Sequence, residues 1–469
     1  MPKRIFMPFL AKMDHRDRSP WAPGFFGLDI SLLVCCFLLF SLGTIVIYTA
    51  LHGSIYFESL WLRHMAALTF AAILGLLVLF FPTALLAETS GALYAVSLVL
   101  LVLVLFFGKV IHGSKSWFDI GPAQFQPSEF AKLATILYLS RLQVRIKERD
   151  PWVSLPNRLK IFGAAAAPLL LVLAQNDLSS AIGFGFILFS YAWVMDLIDS
   201  RTLSGILALG LLTFVFLLAQ IVAGLVLPDL TRVSAYLSRA GFGPGASTAK
   251  GLLWVSGFAL SGAAVYRFLK GFYVLGPRAT WLWALGLAVM LSAAWALSYG
   301  GYRTLKGYQK NRMVSFLFPD ADPFGSGYNV TQSKIAIGSG GLVGQGILLG
   351  SQTSLGFLPE RHTDFAFAAL GETMGYVGCL GALALFSLLF WRLSRFAELA
   401  RENWERLVAV GLFGLWFGEV TVNIAYVLGM FPILGIGLPF LSYGGSRLVV
   451  NGIEMGLLLS ISRGFYVYR

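Results

Sequence analysis

Five ionisable side chains stand where charge is costly, and each is of a type that can move a proton or hold an anion. Glu129 and Lys132 lie in Gln126-Pro127-Ser128-Glu129-Phe130-Ala131-Lys132, at the mouth of an apolar run. An isolated charge at mid-membrane costs about 2.5–3.5 kcal/mol on insertion scales, so both are expected to have a partner or a role. Pro127 suits a first helical turn, and the three-residue spacing then lets Glu129 and Lys132 pair on one face. A structural ion pair and a functional pair both meet that requirement. Asp364 ends Leu358-Pro359-Glu360-Arg361-His362-Thr363-Asp364, directly before the apolar Phe365-Ala366-Phe367. Pro359 stops what precedes it and Thr363 is placed to cap the helix that follows, leaving Asp364 at a polar–apolar boundary. It is either a carboxylate that complements the helix dipole or a reactive base. Asp177, in Gln175-Asn176-Asp177-Leu178-Ser179-Ser180, reads first as a helix cap. Arg63, near the start of an apolar run, reads first as a snorkelling side chain and second as an anion ligand.

The elements that must hold these groups are membrane helices. The 469 residues are 57% hydrophobic and only 12% charged, with a mean hydropathy of +0.76, far from the values of soluble domains. A bilayer core needs roughly 20 apolar residues per crossing, and about twelve runs approach that length. They are 30–51, 62–81, 91–107, 127–142, 161–173, 178–195, 203–226, 251–269, 281–297, 365–390, 407–428 and 440–461. The expected fold is an all-α polytopic bundle, with the short runs 127–142 and 161–173 tilted or buried inside it. Basic residues set its sidedness: Lys3, Arg4, Lys12, Arg16 and Arg18 precede the first span, and Arg141, Arg145, Lys147, Arg149, Arg158 and Lys160 follow the fourth. Both termini are therefore expected in the cytoplasm of the cell, and the net charge of +12 needs no nucleic-acid partner. The first apolar run reads as a retained helix rather than a cleaved signal. Cys35, Cys36 and Cys379 lie within apolar runs, so neither a disulfide framework nor a metal-ligand spacing is expected.

The longest break in the pattern, 298–364, falls on the outer side, yet contains Arg303, Lys306, Lys310, Arg312, Lys334 and Arg361. Long loops cross membranes largely regardless of charge, which is one account; an anionic ligand such as a phosphate is the other. Within it, the glycines of IAIGSGGLVGQGILLG, Ile335–Gly350, allow either close helix packing or close approach to a ligand. A nucleotide loop is a weak reading, because no GxxxxGK[ST] accompanies them.

Several stretches carry a resemblance. Gly113-Ser114-Lys115-Ser116-Trp117, the QPSEFAK run Gln126–Lys132, Gln175–Leu178, QSKIAIGSGG (Gln332–Gly341), PERHTDF (Pro359–Phe365) and LPFLSYGGS (Leu438–Ser446) occur in one order along nearly the whole chain. Together they resemble the SEDS proteins of bacterial elongation, division and sporulation, the FtsW/RodA/SpoVE family, and Lys334 and Arg361 incline the match to its RodA-like members. The resemblance implies a peptidoglycan glycosyltransferase of the bacterial inner membrane, polymerising lipid II on the outer face for cell shape, with release of undecaprenyl diphosphate. It also implies a class B penicillin-binding protein as partner, and admits a divalent cation, Mg or Mn, that no ligand cluster establishes.

By the same resemblance Asp364 is the catalytic carboxylate, with Glu129, Lys132 and Asp177 important for activity. Arg63, Trp117, Lys334, Gly340, Gly341, Arg361, His362 and Ser442 are expected at the substrate. Lys132, Arg63 and Lys334, in that order, are the expected cations for the diphosphate, and the glycine-rich segment is expected to form a lid. The chain departs from the family at Asn176, Ser179, Ser180 and Thr373, and in a stretch, 201–278, that reads as an added helix pair. The organisation expected is thus 1–28 cytoplasmic, 29–200 carrying six core helices, 201–278 inserted, and 279–469 completing a ten-helix core. A lipid II flippase and a scaffold for the transpeptidase are the rival readings; transport favours midplane charges, whereas polymerisation favours an outer carboxylate.

Overall fold

The computed structural model describes residues 28–52, 56–111, 113–121, 123–150, 153–194, 307–317, 325–400 and 402–466, with isolated positions between 213 and 303. Apart from such isolated positions, the inserted stretch 201–278 and the spans 203–226, 251–269 and 281–297 lie outside the described residues. The described elements are α1 (Ile30–Leu51), α2 (Phe57–Phe80), α3 (Thr83–Phe107), β1 (Lys109–Ile111), β2 (Ser114–Ile120), β3 (Ala123–Phe125), α4 (Pro127–Arg149), α5 (Leu155–Ala174) and α6 (Leu178–Val194). They continue with α7 (Gly307–Leu317), α8 (Ser326–Ser339), α9 (Ser351–Ser354), α10 (Ala366–Leu399), α11 (Asn403–Val427) and α12 (Gly445–Tyr466).

The polytopic helical bundle stands. Six described helices, α1, α2, α3, α5, α10 and α11, are long and apolar enough to cross a bilayer. The short run 127–142 is the first turns of α4, which goes on through charged residues to Arg149 and is buried along most of its length by α3, α5, α6, α11 and α12. The run 161–173 is not short in the fold: α5 has 20 residues and keeps mostly an outward face. Small residues let neighbours close up. Ala71 and Gly75 of α2 meet Gly452 and Gly456 of α12 so closely that a Cβ added at Gly75 would lie 2.6 Å from the Gly452 carbonyl oxygen. Among the described residues the one departure from all-α is a three-stranded antiparallel sheet, β1-β2-β3, tied by the Lys115 N–H to the Gln175 carbonyl oxygen at 3.0 Å. Its strands are too short for an alternating pattern to stand out in sequence.

α10 is two helices joined at Gly375, whose φ of 65° and ψ of −161° only glycine adopts readily. The break frees backbone groups that lipid could not satisfy. The glycine-rich segment satisfies them: Gln345 and Gly346 donate to the Glu372 and Thr373 carbonyls at 2.9 and 3.1 Å, and Tyr376 and Val377 donate to those of Gly341 and Leu342 at 2.9 and 3.1 Å. Glu372, wholly buried, then accepts from the Gln352 and Thr353 N–H groups at 2.7 and 2.8 Å. The segment expected as a lid is the complement of a broken helix. Gly375→Ala is expected to destabilise the protein by about 1–3 kcal/mol through backbone strain alone, read as a lower thermal-unfolding midpoint in detergent; an unchanged midpoint would contradict this account of the break.

Candidate active site

The helix starts of α2, α4, α6, α10 and α12 gather at the same end of the bundle as the sheet, and between them lies a cavity of about 1390 Å³. Its lining includes Arg63, Trp117, Asp177, His362 and Asp364, so five of the residues singled out by sequence meet in one place.

Asp364 is held by its main chain, and the residue lines the cavity. Its N–H donates to the Glu360 carbonyl at 3.1 Å, and its own carbonyl accepts from Asn423 Nδ2 and the Tyr426 hydroxyl, each at 3.0 Å. The same two α11 side chains donate to the Ile436 carbonyl at 2.6 and 2.5 Å, joining the 428–444 loop to the base of α10. Gly435, at φ 75°, lets that loop pass beside the carboxylate; a Cβ there would lie 3.4 Å from Asp364 Oδ2. The cap expected from Thr363 is not made: its hydroxyl turns back to Glu360 Oε2 at 2.8 Å, and α10 starts without a side-chain cap.

Asp177 borders the cavity but is 4% exposed and saturated. Its Oδ1 accepts from the Ser179 hydroxyl and Ser180 N–H at 2.6 and 3.1 Å, and its Oδ2 from the Ser180 hydroxyl and Gln126 Nε2 at 2.7 and 2.9 Å. It caps α6 and fixes the entry to α4, as its local sequence suggests. Asn176 before it takes φ 59°, a conformation that asparagine tolerates. His362 packs edge-on against Tyr443 and its carbonyl accepts the Tyr443 N–H at 2.7 Å. Burial lowers the pKa of its imidazole, with Glu360 opposing and Arg361 adding to the shift, so the ring is neutral at physiological pH.

Glu129 and Lys132 do pair, but neither lines the cavity. Lys132 Nζ lies 2.9 Å from Glu129 and 2.6 Å from Glu419 of α11, with 2% of its side chain exposed. Arg447 of α12 reaches Glu129 Oε1 at 3.1 Å. Beside them Glu454, buried, accepts from Trp416 Nε1 at 3.1 Å. Sequence reasoning missed Glu419, Arg447 and Glu454, although each is a charge within an apolar run and the cost argument applied to Glu129 would have found it. It also missed Asn423 and Tyr426, which carry no such signal.

Five expected substrate residues are placed elsewhere than the lining. Gly340 lies against the Gly371 and Glu372 backbone of α10, and Gly341, at φ 55°, turns the chain into the docking segment. Lys334 lies over Gly429. Arg361 donates to the Ala50 carbonyl at the end of α1, tying the Asp364 loop to that helix. The Ser442 hydroxyl accepts from the Leu438 N–H at 2.7 Å and shapes its own loop.

Fold and cavity define a polytopic helical membrane protein with a large cavity at one end of its bundle, mostly apolar in its walls, and an aspartate among the charged residues that line it. The chain belongs to the FtsW, RodA and SpoVE family of cell cycle proteins, which it matches over residues 30–242 and 260–466. It is 31% identical to the peptidoglycan glycosyltransferase RodA of Treponema pallidum, over 94% of this chain and 98% of that one. It is 35% identical to the peptidoglycan glycosyltransferase MrdB of Escherichia coli K12, over 79% and 76%. Among solved structures, one described as the structural coordination of polymerization and crosslinking by a peptidoglycan synthase complex contains a chain with TM-score 0.63 and 26% identity, covering 94% of this chain and 100% of that one. The rod shape determining protein RodA of Thermus thermophilus shares the fold at TM-score 0.56, with 24% identity over 95% and 99% of the two chains.

Breaking a buried ion pair from one side is strongly destabilising because the other charge is stranded. Lys132→Met is therefore expected to cost about 3–5 kcal/mol, and adding Glu419→Gln to recover part of the loss. Thermal unfolding of the two variants in detergent checks this, and equal midpoints for single and double variants would refute it.

Proposed function

We infer that this chain is a peptidoglycan glycosyltransferase that polymerises lipid II into glycan strands. The observation that carries the reading is Asp364, presented to a cavity of about 1390 Å³ in a chain whose relatives are named for that activity. Basic residues Arg145, Lys147, Arg149, Arg392, Arg395 and Arg406 stand at the opposite end of the bundle, which supports a cytoplasmic location for that end and an extracytoplasmic cavity in the inner membrane.

Joining two lipid-linked disaccharides requires an acceptor hydroxyl to attack the anomeric carbon of a donor as its diphosphate departs. Asp364 takes the hydroxyl proton as the bond forms, a contribution typically of about 10²–10⁴-fold. With no covalent intermediate the anomeric centre inverts. Cations aimed at the departing diphosphate act where charge develops. Of those expected from sequence, Lys132 is committed to two glutamates and Lys334 is off the cavity, which leaves Arg63 on the lining. Among the described residues no group of three or more His, Cys, Asp or Glu forms a metal-holding set, so a Mg²⁺ or Mn²⁺ would come with the diphosphate, and no step is routed through it. The likeness to a chain of a synthase complex that couples polymerisation to crosslinking supports a class B penicillin-binding protein as partner.

Polymerisation of lipid II by the purified protein in liposomes, with and without that partner, tests the reading. Asp364→Asn is expected to reduce glycan formation by at least about 10²-fold while the protein stays folded; polymer from both in equal amount would reject Asp364 as the base, and none from the wild type under any condition would return the weight to a flippase. Tyr426→Phe, which removes a clamp on the Asp364 carbonyl, is expected to lower kcat several-fold with KM nearly unchanged, because it alters the aim of the base rather than a contact to substrate.

A further inference from the structure

The buried ionic network reaches the cavity through one of its members. Glu129, Lys132, Glu419 and Glu454 are not on the lining, whereas Arg447 is. Its guanidinium donates from Nη1 to the Gly437 carbonyl at 2.6 Å and from Nη2 to Glu129 Oε1 at 3.1 Å, leaving 15% of the side chain exposed. A planar donor fixed at two of its corners retains further N–H groups in a set direction, which suits recognition of phosphate oxygens better than a mobile ammonium does.

The surroundings add to its field. Arg447 sits in the first turn of a 22-residue helix, where the dipole disfavours a cation and favours an anion, and that turn contains no acidic residue. The N–H groups of Gly445, Ser446 and Arg447 have no acceptor among the described residues, and Gly444, Gly445 and Ser446 also line the cavity. Arg63 and Tyr443, the latter two residues before this turn, line the same cavity as Arg447. Glu129 compensates Arg447 from the buried side, so the network holds a positive group at a positive helix end, facing the substrate space.

Resting on the polymerase reading, we propose that Arg447, backed by the first-turn N–H groups of α12, is a binding residue for the diphosphate of the lipid-linked donor. Glu129 is then a positioning residue that aims Arg447, with Lys132 holding Glu129 in place. This gives the Glu129–Lys132 pair an effect on the reaction without contact to substrate.

Binding of undecaprenyl diphosphate and undecaprenyl monophosphate to the full-length protein in nanodiscs, followed beside lipid II polymerisation, tests this. Arg447→Gln is expected to weaken diphosphate binding by about 10- to 100-fold, the loss of charge-assisted hydrogen bonds, and monophosphate binding by less. Arg447→Lys keeps the charge without the fixed fork and is expected to fall between, and it serves as the folded comparison if Arg447→Gln strands Glu129 and unfolds. Glu129→Gln is expected to weaken diphosphate binding less than Arg447→Gln and to change the response to Arg447→Lys, a coupling that separate structural roles would not give. Wild-type diphosphate affinity in a folded Arg447→Gln or, failing that, in Arg447→Lys overturns the assignment while leaving the polymerase reading intact. Arg447-dependent diphosphate binding by a wild type that makes no polymer would sustain the site and overturn the reading instead.

Discussion

The described fold depends on the need to compensate charge inside a bilayer. Glu129, Lys132, Glu419 and Arg447 come from α4, α11 and α12, and none could stay ionised at that depth alone. Their contacts therefore fix how the three helices sit: Lys132 lies between two carboxylates, and Arg447 extends the chain of charges to the Gly437 carbonyl. Hydrophobic packing cannot set such a register in lipid, where neighbouring tails are as apolar as the side chains. Small residues at Ala71, Gly75, Gly452 and Gly456 bring α2 and α12 together, but the ion contacts decide which residues face inward.

A second constraint acts on the backbone. α10 is broken at Gly375, and the four hydrogen bonds from the 341–346 segment restore what the break removes. Glycine is needed on both sides of this contact, because a Cβ at Gly344 or Gly375 would run into the backbone opposite. The repeated glycines are thus explained by helix docking, and the segment buttresses the α10 turn that follows Asp364 instead of covering the cavity.

Much of this was legible in the sequence where one physical rule dominates. Apolar length alone gives α1 at 30–51 and α6 within a residue of its end, because both are bounded by polar turns. The same rule ends α4 and α10 too early, since each continues as a helix through charged residues beyond the apolar run. Asp364, Trp117, Asp177 and His362 converge as expected from the matched motifs, and Arg63, outside those motifs, joins them on the lining, while the placement of Lys334, Gly340, Gly341, Arg361 and Ser442 depends on tertiary contacts that no local pattern encodes. The choice between a structural and a functional role was open at Glu129, and at Asp177 beyond its default reading as a cap, for the same reason: both outcomes have the same sequence, and only the neighbours Ser180 and Gln126 of Asp177 and Lys132, Glu419 and Arg447 around Glu129 show what each side chain holds.

The two constraints meet on α11. Glu419, Asn423 and Tyr426 are spaced i, i+4 and i+7, so they lie along one face of that helix. Glu419 binds the buried lysine, and the other two clamp the carbonyls of Asp364 and Ile436. A rigid helix therefore carries the position of the charge network to the carboxylate that faces the cavity, while Arg447 carries it along α12 to the same loop. The arrangement keeps the expensive ions closed off from lipid and leaves a carboxylate, Arg63 and one edge of Arg447 at the substrate space. That division suits transfer chemistry, in which a fixed base and fixed cations must meet charge as it develops, since groups already oriented by the fold need little reorganisation when the bond breaks.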